Sequence, residues 1–376
     1  MEQTVQFAKG LEGVIAGEST ICKIDGEKGQ LYYRGYPIQE LAEKTTFEET
    51  TYLLLYGELP NRDESVVFSA KMRNARDLSP AVLEMIRNFP EKSHPMELLQ
   101  SVIAYLSAYV EHKIHHGPHC NCRETLHQVA QLASVVAAYE RIRNGLEYVP
   151  PKRNLGHGAN FLYMLRGEEP TESEGKIMDS ALVMHAEHSF NASTFTARVI
   201  ASTQSTCYSS ISGAIGALYG SLHGGANEKV MVMVDEIGTP QNVVPWLDKT
   251  LGEGKKVMGM GHRVYKAKDP RSNLMEAYLK ELCEAKGDMT YYDILKTLEV
   301  ETRKRMEQKG KPVYPNVDFF SGAVYRLLGI PTKLFTPIFA MGRVSGWLAH
   351  VLEQRIDNRI YRPKALYNGP EPRSLS

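Results

Sequence analysis

Helix starts and stops recur along nearly the whole chain and constrain its fold more than any other feature. Thr46-Phe47-Glu48-Glu49 has the spacing of a capping box. In that motif the hydroxyl takes the backbone N–H three residues on, and the carboxylate takes the N–H of the threonine. The helix it opens runs through Tyr52-Leu53-Leu54-Leu55-Tyr56 and is expected to stop at Gly57. Thr171-Glu172-Ser173-Glu174 repeats the device ahead of an apolar stretch through Val183 and Met184. Pro80 and Pro95 fit first helical positions, where a missing N–H costs nothing. Pro240, Asp269-Pro270, Pro315, Pro331 and Pro337 punctuate the later helices, and a last amphipathic helix is expected from about Phe339 to Gln354. Ser209 to Gly220 is rich in Gly, Ala and Ser, which lets helices approach closely within a subunit or between subunits. One early segment departs from this pattern. Two β-prone runs, Ser19 to Ile24 and Gln30 to Arg34, flank Asp25-Gly26-Glu27-Lys28-Gly29 and predict a hairpin. The expected class is mainly α with a small N-terminal β-hairpin.

The chain has 376 residues, 43% of them hydrophobic, enough for a buried core and about two domains. Its 44 basic and 44 acidic residues balance, which argues against a nucleic-acid surface or an acidic tail. Met1-Glu2-Gln3-Thr4-Val5 has neither the basic nor the apolar region of a leader, and no apolar run reaches the length of a membrane span. Five cysteines, an odd number without the spacing of a disulfide framework, fit reduced thiols in a cytoplasm. No repeat or low-complexity linker is present, and no phosphate-binding glycine loop of the Walker or dinucleotide type follows a strand.

Three short motifs carry chemistry: Leu222-His223-Gly224-Gly225-Ala226-Asn227, Gly259-Met260-Gly261-His262-Arg263, and Pro315-Asn316-Val317-Asp318-Phe319. Two imidazoles and a carboxylate set among turn-forming residues suit removal of a proton from carbon beside a carbonyl. Each residue also has a plainer reading. His223 sits in a turn that two glycines could require for backbone reasons alone. His262, with Arg263, Lys266, Lys268 and Arg271 nearby, reads on its own more readily as part of a solvated basic loop than as a functional residue. Asp318, taken singly, reads as a helix N-cap. His188 reads as a core histidine as readily as a ligand. Arg343, one turn from Trp347, is either a surface residue or a fork for a carboxylate. The run His112, His115, His116, His119, Cys120 and Cys122 looks metallic, but its spacing is not that of a closed zinc site, and a polar Gly-Pro loop explains it more cheaply.

Taken together, the segments resemble the citrate synthase family nearly end to end. The resemblance runs from Gly10-Leu11-Glu12-Gly13-Val14 and Tyr33-Arg34-Gly35-Tyr36 through Tyr56-Gly57-Glu58-Leu59-Pro60 and His188-Ser189-Phe190-Asn191-Ala192-Ser193-Thr194. It continues through the three motifs above and Gly346-Trp347-Leu348-Ala349-His350 to Tyr361-Arg362-Pro363. The resemblance implies a two-domain helical fold, with a large domain from residues 1–222 and 330–376 and a small inserted domain at 223–329. It further implies a homodimer of the short type, the Gly/Ala/Ser-rich helix at its core.

The implied reaction condenses acetyl-CoA with oxaloacetate and water to give citrate and CoA through an enolate and a citryl-CoA intermediate. In that scheme Asp318 takes the methyl proton, His223 hydrogen-bonds the thioester oxygen, and His262 hydrogen-bonds the ketone oxygen of oxaloacetate. His188, Arg271 and Arg343 bind oxaloacetate, and Arg362 reaches the neighbouring subunit's site. Arg263, Lys266 and Lys311 are the positional matches for CoA. No metal or redox cofactor is implied, acetyl-CoA being a substrate. Two alternatives stand beside this reading. One is a 2-methylcitrate synthase, which takes propionyl-CoA, one methylene larger. The other is a non-catalytic scaffold of the same fold.

Overall fold

The computed structural model describes residues 8–109 and 122–375. The histidine and cysteine run from 112 to 120 lies outside the described residues, as does the side chain of Cys122.

The two capping boxes form as expected. Thr46 accepts from the Glu49 N–H at 3.2 Å while Glu49 accepts from the Thr46 N–H at 2.9 Å, and the helix Phe47–Tyr56 ends at Gly57 with φ 95°. Thr171 and Glu174 do the same for the helix Glu172–His185. Pro80 and Pro95 occupy first positions of their helices. The hairpin is β1 (Cys22–Asp25) and β2 (Gln30–Tyr33), antiparallel with Ile24 opposite Leu31, and a short β3 (Tyr36–Pro37) adds an edge not expected from sequence.

The C-terminal helix spans Phe335–Ile356, longer at both ends than the amphipathic pattern suggested. Pro337 does not stop it, because it falls in the first turn, whose N–H groups have no partner within the helix. Nor is this helix amphipathic over most of its length. Leu334 to Leu352 is buried except at Phe339. It is the hub against which the helices Phe47–Tyr56, Cys122–Arg143, Glu172–His185, Ala192–Ser202 and Cys207–Tyr219 pack. A helix buried all round belongs in the middle of a large protein, and this one carries Arg343 and His350 into that interior.

The small residues of Cys207–Tyr219 allow close packing within the chain. A Cβ on Gly213 would come within 2.3 Å of Ile200, and one on Gly216 within 2.6 Å of Gln100. No helix among the described residues is long and apolar enough to cross a membrane.

Candidate active site

His223 lies in the turn between Cys207–Tyr219 and the helix Ala226–Ile237. The two glycines after it serve different needs. A Cβ on Gly224 would sit 2.3 Å from the Leu218 carbonyl oxygen, and Gly225 is left-handed at φ 79° as the N-cap of the next helix. The Nε2 of His223 is held by Ser193, whose backbone N–H donates to it at 3.3 Å and whose hydroxyl lies 2.9 Å away. A backbone N–H only donates, so Nε2 carries the lone pair and Nδ1 the proton. Ser193 is itself fixed, accepting from the Trp347 indole at 3.1 Å and donating to Asn191 at 2.7 Å.

His262 has the opposite tautomer for the same reason. Its Nδ1 accepts the N–H groups of Val264 at 3.0 Å and Tyr265 at 3.2 Å, so the proton is on Nε2. Burial, reinforced by neighbouring arginines, pushes both His223 and His262 down to about 4. Both rings are therefore neutral near pH 7, each with one N–H that can donate.

The loop carrying His262 is laced to the segment carrying Asp318. The Gly261 N–H donates to Tyr314 O at 2.7 Å, the Asn316 N–H to Gly259 O at 2.9 Å, and the Asn316 side chain to Gly261 O at 2.9 Å. A Cβ on Gly259 would meet the Phe319 backbone at 2.8 Å, which is why glycine is needed there. Asn316, not Asp318, caps the helix Val317–Leu327, accepting from the Asp318 N–H at 2.9 Å. The cap reading of Asp318 thus fails, and its carboxylate accepts no hydrogen bond from the described residues. Burial pushes it up to about 6, with Asp269 adding to the rise and Arg271 and Arg343 opposing it.

Arg271 is buried and forked onto Asp269, Nε to Oδ1 at 3.0 Å and Nη2 to Oδ2 at 2.7 Å. Asp269 also accepts from the Val317 N–H at 3.3 Å, tying the arginine to the start of the Asp318 helix. Arg343 is 1% exposed, yet it has no carboxylate partner among the described residues. Its Nε donates to His185 O at 2.7 Å and its plane rests 4.7 Å over the Phe339 ring. His188 Nε2 lies 3.1 Å from the Tyr265 hydroxyl, and its ring centroid is 5.3 Å from that of His262. Ser189 next to it is held at φ 53°, a strain of about 1–2 kcal/mol for a residue with a side chain. Arg343 acts electrostatically on His223, His188 and Asp318, and Arg271 on His262, His188 and Asp318, so these residues form one cluster.

A cleft of about 460 Å³ opens beside His262, lined among others by Lys255, Lys256, Met260, Arg263 and Val313. Of the cations expected for CoA, Arg263 lines this cleft. Lys266 points instead to the hairpin turn, where it pairs with Glu27, and Lys311 is exposed two residues from Val313. Arg362 is exposed beyond the C-terminal helix and donates to Pro363 O at 3.0 Å.

A family model described as citrate synthase, C-terminal domain, matches residues 10–364. A citrate synthase of Deinococcus radiodurans is 45% identical over 363 residues, 96% of each chain. The chain belongs to the citrate synthase family. A citrate/2-methylcitrate synthase of Bacillus subtilis is 39% identical over the full length of both chains. A citrate synthase of the archaeon Thermoplasma acidophilum, solved in a ternary complex with carboxymethyl coenzyme A and oxaloacetate, superposes with a TM-score of 0.91 at 33% identity, covering 99% of this chain and 98% of that one. The family is one of acyltransferases, and this member retains a site equipped for catalysis.

Sequence reasoning missed several contributors to this citrate synthase site. Ser193 fixes the tautomer of His223, Asp269 holds Arg271, and Lys255 and Lys256 line the cleft. Ser193 and Asp269 stood inside segments already noted; Asp269 grips Arg271 only two residues on, but the Ser193 contact with His223 and the tie of Asp269 to Val317 span 30 and 48 positions of sequence, which no local pattern reveals.

Proposed function

We propose that the protein condenses acetyl-CoA with oxaloacetate and water to give citrate and CoA, with Asp318 as base and the two neutral imidazoles as hydrogen-bond donors. The supporting observation is the pairing of a half-buried carboxylate, pushed up to about 6, with His223 and His262 in tautomers fixed by backbone N–H groups. Asp318 takes a methyl proton from acetyl-CoA. The negative charge moves to the thioester oxygen, where Nδ1–H of His223 donates. The methylene carbon then bonds to the ketone carbon of oxaloacetate, whose oxygen receives a proton from Nε2 of His262 and becomes the hydroxyl; His262 takes a proton back from solvent, and Asp318 gives the methyl proton up to solvent. Water finally cleaves the thioester and releases CoA.

A mismatch on the order of ten pK units between methyl group and base sets about 14 kcal/mol against the first step. A base alone does not meet that, so the imidazole donor and a water-poor site are required. Neutral imidazoles suit the task, because the low values of both rings keep them from losing their role to protonation.

Arg343, buried without a carboxylate of its own, fits one carboxylate of oxaloacetate, and Arg271 fits the other. His188 completes that subsite. Arg362 serves the neighbouring subunit in a homodimer, in keeping with its exposure in its own chain. Arg263, with Lys255 and Lys256, holds CoA phosphates along the cleft; Lys266 and Lys311 are peripheral to it. Residues 223–329 act as the small domain that closes over oxaloacetate.

Turnover of acetyl-CoA and propionyl-CoA with oxaloacetate, followed by thiol release, tests the reading. A kcat/KM higher for acetyl-CoA is expected. A preference for propionyl-CoA would assign the chain to 2-methylcitrate synthesis, and no thiol release with either would exclude both.

A further inference from the structure

One buried carboxylate beside the site has no part in the chemistry above. Glu187, immediately before His188, is fully enclosed. Its Oε1 accepts from His350 Nε2 at 2.9 Å, and its Oε2 has no hydrogen-bond partner among the described residues. The Nδ1 of His350 lies 3.2 Å from Arg198 Nη1. A guanidinium only donates, so Nδ1 carries the lone pair and Nε2 the proton. His350 is therefore a neutral donor and not a counterion for Glu187. Arg198 is matched by Glu353 at 2.7 Å, and Glu353 is in turn held by the Thr20 N–H at 2.8 Å.

Two further cations feel the Glu187 charge, Arg34, on which Glu353 acts more strongly, and Arg343, on which Glu187 is the strongest charge influence. Yet Glu187 and Arg343 do not touch in a salt bridge. Arg343 is oriented by the His185 carbonyl and the Phe339 ring. Glu187 is oriented from the same helix. Arg343, Gly346, Trp347 and His350 fall at one-turn spacing along Phe335–Ile356 and face residues 185–193. A Cβ on Gly346 would lie 2.3 Å from Glu187 Oε2, so the helix backbone walls the free oxygen in.

We propose that Glu187 acts through Arg343 as a built-in countercharge of the dicarboxylate subsite, weakening anion binding so that product can leave. The proposal rests on the reading of Arg343 as an oxaloacetate ligand. A guanidinium facing a buried carboxylate is already partly neutralised, and an arriving dianion meets repulsion that water screens poorly. Citrate carries one carboxylate more than oxaloacetate, so the same repulsion weighs more heavily on product. Because Glu187 does not orient Arg343, removing its charge strengthens binding, whereas loss of a merely structural group would weaken it.

The test is titration calorimetry of oxaloacetate and of citrate on the wild-type protein, Glu187→Gln and Glu187→Asp. Glu187→Gln keeps the shape and an acceptor for His350, and is expected to lower both Kd values by about tenfold or more, citrate the further of the two. Glu187→Asp keeps the charge and should leave both near wild type. Glu187→Ala removes the same charge and carries the same expectation should the glutamine variant fail to fold. Unchanged or weaker binding in a folded uncharged variant overturns the proposal, as does an aspartate variant that tightens like the glutamine one. A wild-type protein that does not bind oxaloacetate would overturn the oxaloacetate reading of Arg343 instead.

Discussion

Asp318, the proposed base, has surroundings that resist its charge. Burial lifts its folded value to about 6, so it works only above that pH, and the ionised form is the costly one. His223 and His262 are displaced the other way, to about 4, and remain neutral throughout the range in which Asp318 titrates. The acid limb of the rate therefore belongs to the carboxylate. As pH falls through about 6, kcat/KM should drop in proportion to the unprotonated fraction, measured as thiol release between pH 5 and 8. A limb centred near 4 would mean that Asp318 is not the group observed. His223→Ala should lower kcat by at least about a hundredfold, the scale for losing one donor to a developing oxyanion. A few-fold loss in the same assay would remove His223 from that role.

The elements matter because two of them set these side chains. The hairpin turn between β1 and β2 rests on the loop after His262. The Lys266 N–H donates to Gly26 O at 3.0 Å, and a Cβ on Gly26 would come within 2.3 Å of Val264 O. Val264 supplies one of the N–H groups that fix the His262 tautomer. Gly26→Ala should therefore raise the oxaloacetate KM or lower kcat by about tenfold, while costing about 1–3 kcal/mol of stability, followed by steady-state kinetics and thermal unfolding. Wild-type kinetics in that variant would show that the hairpin does not brace the loop. Little of this contact is legible in sequence. The hairpin and the capping boxes are local patterns and could be read directly, as could Gly57 as a stop. The third strand, the full extent of Phe335–Ile356 and the docking of Gly26 on Val264 are tertiary facts. Pro337 looked like a boundary because a proline's tolerance in the first turn depends on where that turn starts.

For the whole molecule, the reactive motifs were legible because glycine, proline and asparagine mark them. Family resemblance supplied their roles, and the structure adds the tautomers and an Arg343 that makes no salt bridge among the described residues. Arg362, exposed in its own chain, is proposed to serve the neighbouring subunit's site. Subunit exchange between Arg362→Ala and Asp318→Asn should restore activity, since a mixed dimer has one site with both residues intact. Confirmed exchange without recovered activity would place Arg362 outside the neighbouring site. The proposed chemistry turns on Asp318. Its sharpest test is thiol release from acetyl-CoA and oxaloacetate by Asp318→Asn, measured beside calorimetric binding of oxaloacetate. Turnover is expected to fall by at least about a hundredfold with oxaloacetate binding largely retained; near-normal turnover in a folded Asp318→Asn variant would mean that Asp318 is not the base.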